Sequence, residues 1–225
     1  MTVIAGKSVV VVGGSRGLGL GVADAARAAG AQVTVVARAT TDGVQGDATD
    51  EDLAAKVLAD RRPDLLVITA GAVPGMGPLA GQTWQTFSVN WHADVRIAFV
   101  WLRAALRVPL APGSRVVVFG SAASLRGSPL SGGYAGAKAT VRLITAYAAA
   151  EASGLGIAMT TILPGITPDT TIGEVAIAAY GADRAALSTV PTAESVGAAV
   201  LGLAAGPELA GAYLVTADGL RPLAA

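Results

Sequence analysis

Residues 7–19 read Lys-Ser-Val-Val-Val-Val-Gly-Gly-Ser-Arg-Gly-Leu-Gly, and the fold turns on how this stretch is read. Its first half, Lys7 to Gly13, is an apolar run with no polar alternation, which predicts a strand buried on both faces of a sheet. Its second half is a glycine-rich turn leading into a helical pattern from Gly17 to Ala29, with Gly30 in the usual stop position. A doubly buried strand, a tight turn and a helix form the opening unit of a parallel sheet wrapped by helices.

Working outward, the alternation of Val/Ile-rich runs with Ala/Leu-rich stretches continues. Strands are predicted at Gln32 to Ala37, Leu65 to Thr69, Ser114 to Gly120, Gly156 to Leu163 and Ala212 to Thr216. Helices are predicted at Asp50 to Arg61, Thr83 to Val108 (closed by Pro109) and Gly133 to Ser153. A further helix capped by Thr192 runs to about Ala205. Residues 168–189 read as a less regular, Ala-rich excursion. Only Arg38 to Gly43 separates the second strand from the short Val44–Asp47 segment. A helical crossover needs a dozen or more residues, so either the third strand is rudimentary or the chain crosses in an extended loop. The pattern predicts an α/β fold, a single Rossmann-like doubly wound parallel sheet of about seven strands with helices on both faces. It occupies one domain, residues 1–225.

Composition narrows the chemistry. The chain has 225 residues, 52% hydrophobic and 14% charged, with a formal net charge of zero. That balance offers no footprint for nucleic acid. Cysteine is absent and His92 is the single histidine, which excludes thiolate chemistry and multi-histidine metal sites; no metal is expected. No stretch approaches the roughly 18 apolar residues of a membrane span, and no leader precedes the first apolar run. The expectation is a soluble, cytoplasmic protein.

The glycine loop carries the first functional signal. Gly13, Gly17 and Gly19 are spaced G-x-x-x-G-x-G between strand and helix. Glycine there permits the turn and lets backbone N–H groups approach a pyrophosphate at the positive helix N-terminus. Gly13, Ser15, Arg16, Gly17, Leu18 and Gly19 are therefore candidate contacts to a dinucleotide. Arg38 follows directly on the second strand, where the ribose 2′ position should lie. A base there pairs with the 2′-phosphate of NADP, whereas NAD calls for an acid. With Arg16 in the loop as a second clamp, NADP(H) is expected over NAD(H). Each arginine taken alone is more often an ordinary surface residue.

The second signal is Tyr134-Ala-Gly-Ala-Lys138, a phenol and an ammonium four residues apart on one helical face. A tyrosine at its ordinary pKa of about 10 trades protons poorly at neutral pH. A lysine charge one turn away favours the phenolate, which makes Tyr134 a candidate general acid/base. Ser121, thirteen residues earlier, ends a strand at the side of the sheet that faces ligands. From there it can stabilise charge on a substrate oxygen. Ser124 and Ser128 are assigned loop-capping roles.

These motifs, in this order, resemble the short-chain dehydrogenase/reductase family, whose glycine fingerprint is T-G-x-x-x-G-x-G. Val12 stands where the family has Thr. The resemblance implies a catalytic tetrad of Asn90, Ser121, Tyr134 and Lys138, with Asn90 holding a water that relays protons to Lys138. It implies that Asp47 and Ala48, in Gly46-Asp47-Ala48-Thr49-Asp50, hold the adenine. Asp47 read without the family is a helix cap, a role Thr49 or Asp50 fills equally well. Thr69-Ala70-Gly71 sits where the family has N-N-A-G, leaving Ala70 and Gly71 for close backbone approach. Pro164-Gly165, with Ile166 and Thr167 beyond, resembles the turn beside the nicotinamide. His92 lies about 200° around the helix from Asn90 and is expected to be structural.

The implied function is an NADP(H)-dependent oxidoreductase of carbonyl reductase type, interconverting a carbonyl and an alcohol and acting as a homodimer or homotetramer. Two other readings compete. One is a non-catalytic NADP(H)-binding sensor or partner subunit, which loss of the tyrosine, lysine or serine would have favoured. The other is a sugar-nucleotide epimerase, for which the chain leaves little room. Ala72 to Met76, Ala123 to Pro129 and Ile166 to Ile172 are the expected substrate walls. Arg126 is their only charge but for Asp169, which suits a largely apolar carbonyl or alcohol.

Overall fold

The computed structural model describes residues 4–183, 187, 189–206, 209 and 211–223. Along the chain run β1 (Ser8–Val12), α1 (Gly17–Ala28), β2 (Gln32–Ala37), β3 (Val44–Gln45), α2 (Glu51–Arg61) and β4 (Leu65–Ile68). Then come α3 (Trp84–Asn90), a π-helical turn (Trp91–Val95), α4 (Arg96–Arg107), β5 (Arg115–Phe119), the short α5 (Ala123–Arg126) and α6 (Tyr134–Ser153). The chain closes with β6 (Ala158–Leu163), α7 (Thr171–Tyr180), α8 (Ala193–Ala205), β7 (Ala212–Thr216) and β8 (Gly219–Pro222).

The strands make one sheet in the order β3-β2-β1-β4-β5-β6-β7-β8, parallel except for the antiparallel β7–β8 pair. The valines of β1 explain why it lies at the centre. Val10 and Val12 enter the core beneath α2, α4 and α6, together with Leu66, Ile68, Val116 and Val118. Val9 and Val11 enter the opposite core against α1 and α8, with Leu65, Val67 and Val117. All four are fully buried, and each contributes about 1.5–3 kcal/mol relative to exposure. A polar residue at any of them would face one core or the other, which is why the run shows no alternation.

The strand order reverses between β1 and β4, so the loops leaving those two strands diverge and open a crevice at their carboxyl ends. The caps follow the sequence. Asp50 Oδ1 accepts from the amides of Asp52 and Leu53 at 2.9 and 3.1 Å, and Thr192 Oγ1 accepts from Ser195 N at 3.1 Å. Asp50, not Asp47, is therefore the cap of α2.

Three expectations need correction, and the open question of the third strand is answered. The sheet has eight strands rather than about seven. Asp218-Gly219 is a hairpin turn signal, and Gly219 adopts φ +113°, so the signal for β8 was present. β3 is indeed rudimentary, two residues long, and the chain reaches it through an extended loop. The helix expected over 83–108 is broken by the π turn at 91–95; no Gly or Pro marks the break. The excursion at 168–189 contains a regular helix, α7, capped by the Thr170 hydroxyl on Gly173 N at 3.0 Å. Residues 184–186 and 188 of that excursion, and 224–225 of the C-terminal stretch, lie outside the described residues.

Candidate active site

The glycine loop, the ends of β4 and β5, the start of α6 and the segment after β6 all open onto one crevice of about 1350 Å³. Gly13 has φ +89°, and a Cβ there would meet Ala70 N at 2.6 Å. A Cβ on Gly19 would meet the Gly13 carbonyl at 2.2 Å and Thr69 Oγ1 at 2.5 Å. These glycines let the loop fold onto β4, and its backbone then faces the N-terminus of α1.

Ser15, Arg16, Gly17 and Leu18 line the crevice beside these glycines. Arg16 and Arg38 flank the same end, both exposed. Neither forms an ion pair among the described residues. Asp47 accepts from Thr49 N at 2.8 Å and from Thr49 Oγ1 at 2.9 Å. These two bonds, with Arg38 and Arg96 nearby, hold its carboxyl below the usual range although burial opposes them. Trp101, fully buried, donates its Nε1–H to the Ala48 carbonyl at 2.9 Å and so fixes the loop that presents both residues. Ala70 and Gly71 on one side, and Pro164, Gly165, Ile166 and Thr167 on the other, complete the wall.

Tyr134 and Lys138 stand one turn apart at the start of α6, with Lys138 Nζ 5.7 Å from the tyrosine ring centroid. Ser121 is buried at the end of β5, and its Oγ accepts only a 3.2 Å bond from Ala123 N. Ser124 caps the same turn by donating to the Ser121 carbonyl at 2.6 Å. Ser128 does more than cap a loop: its hydroxyl bonds the Tyr180 hydroxyl, tying α7 to the 127–130 segment.

Asn90 alone among the predicted site residues lies behind the crevice wall. It is buried, and its Nδ2 donates to the Ala72 carbonyl at 2.8 Å and to Asp94 Oδ1 at 3.2 Å. Its Oδ1 has no hydrogen-bond partner among the described residues. Lys138 is instead ion-paired with Asp94, at 3.0 Å. Asp94 escaped the sequence reading because nothing in its neighbourhood marks a buried acid. His92, expected to point away as a structural residue, is exposed and lines the crevice with Val89, Ala93 and Ile97. Of the substrate walls, Val73, Pro74, Met76, Arg126 and Pro129 line the opening, and α7 adds Ile172, Ala176 and Tyr180.

Comparison with known proteins agrees with this architecture. The family described as Enoyl-(Acyl carrier protein) reductase matches residues 12–212, and the chain belongs to the short-chain dehydrogenase/reductase family of oxidoreductases. The chain is 34% identical over 137 residues to a protein of Xanthobacter autotrophicus called inactive 2-(S)-hydroxypropyl-CoM dehydrogenase 2, covering 58% of this chain and 59% of that one. It is 31% identical over 185 residues to L-fucose dehydrogenase of Oryctolagus cuniculus, covering 72% and 63%. The chain thus spans about three fifths of the length of these two relatives. Among solved structures, a short chain dehydrogenase from Burkholderia cenocepacia in complex with NADP superposes with a TM-score of 0.77 at 24% identity, covering 93% of this chain and 95% of that one. A dehydrogenase/reductase from Sinorhizobium meliloti gives 0.76 at 26%, covering 92% of each.

Proposed function

We propose that this protein transfers a hydride between NADP(H) and a carbonyl/alcohol pair. The observation that carries this reading is the convergence of the glycine loop, Ser121 and the Tyr134–Lys138 pair on one crevice.

The cradle left by Gly13 and Gly19, and the two unpaired arginines, fit a phosphorylated dinucleotide. Backbone groups of residues 13–19 would hold the pyrophosphate, Arg16 and Arg38 would pair with the 2′-phosphate, and Asp47 and Ala48 would border the adenine. When bound, the nicotinamide supplies or accepts the hydride. Tyr134 gives its proton to the carbonyl oxygen on reduction, or takes it from the alcohol on oxidation. Ser121 donates to the same oxygen as charge develops on it. Lys138 favours the phenolate and would hold a ribose hydroxyl of the cofactor, and Asn90 Oδ1, without a partner among the described residues, suits a water in a proton relay.

Galactitol and L-fucose figure in the names of two relatives, but here Val73, Pro74, Met76, Pro129, Ile166 and Ile172 line the crevice beside the polar Arg126 and Tyr180. That lining favours a largely apolar carbonyl compound. One relative is called inactive, and the second reading is a non-catalytic NADP(H)-binding sensor or partner subunit. Screening carbonyl compounds for NADPH consumption by wild type and by Tyr134→Phe separates the two. No turnover with any compound, or equal turnover by the variant, would count against the enzyme. Phe99 on α4, and Leu143 and Tyr147 on α6, are exposed apolar side chains on two helices packed together, which suits a homodimer or homotetramer.

A further inference from the structure

Lys138 is held at three points. Its Nζ pairs with Asp94 Oδ2 at 3.0 Å, donates to the Phe119 carbonyl of β5 at 3.1 Å, and lies 5.7 Å from the Tyr134 ring centroid. The ion pair is out of solvent, with side-chain exposures of 6% for Lys138 and 1% for Asp94. The carboxylate is itself built in: Oδ1 accepts from Ala72 N at 2.8 Å and from Asn90 Nδ2 at 3.2 Å. Room for it depends on Gly71, where a Cβ would meet Asp94 Oδ2 at 2.8 Å. The π turn carries Asp94 between α3 and α4, and π turns recur at functional sites.

We propose that Asp94 is a positioning residue of the active site, keeping the Lys138 ammonium charged and fixed beside Tyr134 so that it can still donate to the ligand. This rests on the reading of Tyr134 and Lys138 as the reacting pair. An ammonium has three donors; the Phe119 carbonyl accepts one, and Asp94 faces the charge as an ion pair. A buried ammonium without a counter-ion gives up its proton rather than bear the desolvation cost. Burial pushes the Lys138 pKa down, but the Asp94 charge, then Tyr134 and the Asp94 contact, more than reverse it and leave it raised. With Asp94 neutralised, burial would prevail.

The other ionisable groups on neighbouring elements include Arg115 of β5, which donates to the Leu203 and Gly206 carbonyls, and Arg107 in the last turn of α4. On α4, Arg96 acts on Asp47 and Arg103 pairs with Glu51. On α5, Arg126 lines the crevice and is exposed. His92, on the same turn as Asp94, is exposed. β6 and α3 carry no ionisable side chain.

The chain has only three lysines, Lys7, Lys56 and Lys138, so NMR of isotopically labelled lysine side chains resolves Lys138 without cofactor or substrate. Lys7→Arg and Lys56→Arg assign the signals. In wild type, Lys138 should stay protonated through pH 10. In Asp94→Asn it should lose its proton below pH 10, and in Asp94→Glu it should again hold it. NADPH affinity of Asp94→Asn should fall at least about tenfold between pH 7 and pH 10, as a charged hydrogen bond is lost, while wild type stays flat. Proton loss below pH 10 in wild type, or retention through pH 10 in Asp94→Asn, overturns the proposal. Should Asp94→Asn fail to fold, the wild-type titration still decides. Full turnover by Tyr134→Phe would instead sink the reading of the reacting pair, whatever Lys138 does.

Discussion

Thr69 Oγ1 donates to the Val12 carbonyl at 2.9 Å, across the seam where β4 meets β1 and directly against the glycine loop. Val12 stands where the family fingerprint has a hydroxyl, and Thr69 stands where the family has asparagine. The hydroxyl absent from one strand end is thus supplied by its neighbour. The same Oγ1 is one of the atoms an added Cβ on Gly19 would strike.

Gly19→Ala should accordingly fail to fit. The new methyl meets the Gly13 carbonyl as well as Thr69, so loop and helix must part. A stability loss of about 1–3 kcal/mol is expected, as for other overpacked sites, together with weaker NADPH binding. Thermal unfolding checks the first and fluorescence titration the second. Gly154→Ala is the control, since a Cβ there meets nothing within 4 Å.

Tyr134→Phe keeps the ring and removes the proton. Turnover should fall at least about 10²-fold, the lower range for general acid–base catalysis, while NADPH affinity holds. Ser121→Ala should behave alike, because its bond strengthens only as charge develops on the substrate oxygen. Calorimetry with NADPH beside steady-state rates tests both. Weaker NADPH binding in proportion to the lost rate would assign these residues to the cofactor instead.

Cofactor choice should reside in Arg16 and Arg38. Charged hydrogen bonds contribute roughly 1.5–3 kcal/mol each, so wild type should prefer NADPH over NADH by at least about tenfold. Arg38→Ala should erode that preference by weakening NADPH alone. Titration of both reduced cofactors against both proteins reads it directly.

Acid should loosen the start of β1. Asp64 accepts from Lys7 Nζ and from Ser8 N, each at 2.9 Å. Burial pushes its pKa up, but the Lys7 bond, the Ser8 bond and the Lys7 charge outweigh burial and leave it lowered. A lowered folded pKa stabilises above the unfolded value of about 3.9, and that contribution is lost as pH falls through the folded value. With the carboxylate 40% exposed, the effect is at most about 1 kcal/mol. Asp64→Asn should destabilise at pH 7 and converge on wild type near about pH 2, measured by urea unfolding.

Self-association should use the exposed Phe99 of α4 and Leu143 and Tyr147 of α6. Light scattering at micromolar concentration should report a dimer or tetramer, and Leu143→Glu with Tyr147→Glu should release monomer. A monomeric wild type removes the idea.

The sequence by itself determined what depends on near neighbours. The unbroken valines of 9–12 required a strand covered on both faces, and glycine at 13, 17 and 19 required a close turn into a helix. A spacing of four placed Tyr134 and Lys138 on one side of α6 before any packing was known. Caps such as Thr192 and the stop at Gly30 were legible for the same reason, since helix ends are satisfied by residues a few positions away. Tertiary structure alone decided the partners that meet across elements. Asp94 belongs to Lys138 because the π turn packs against α6 and against the segment that follows β4, and no periodicity in either element encodes that meeting. The π turn itself carries no glycine or proline; its wide turn accompanies the burial of Asp94 against Gly71 and Ala72. Tyr180 reaches Ser128 because α7 folds back over the crevice. Local pattern fixes which face a residue takes on its own element, whereas the partner across the gap is set by how the helices and sheet pack together.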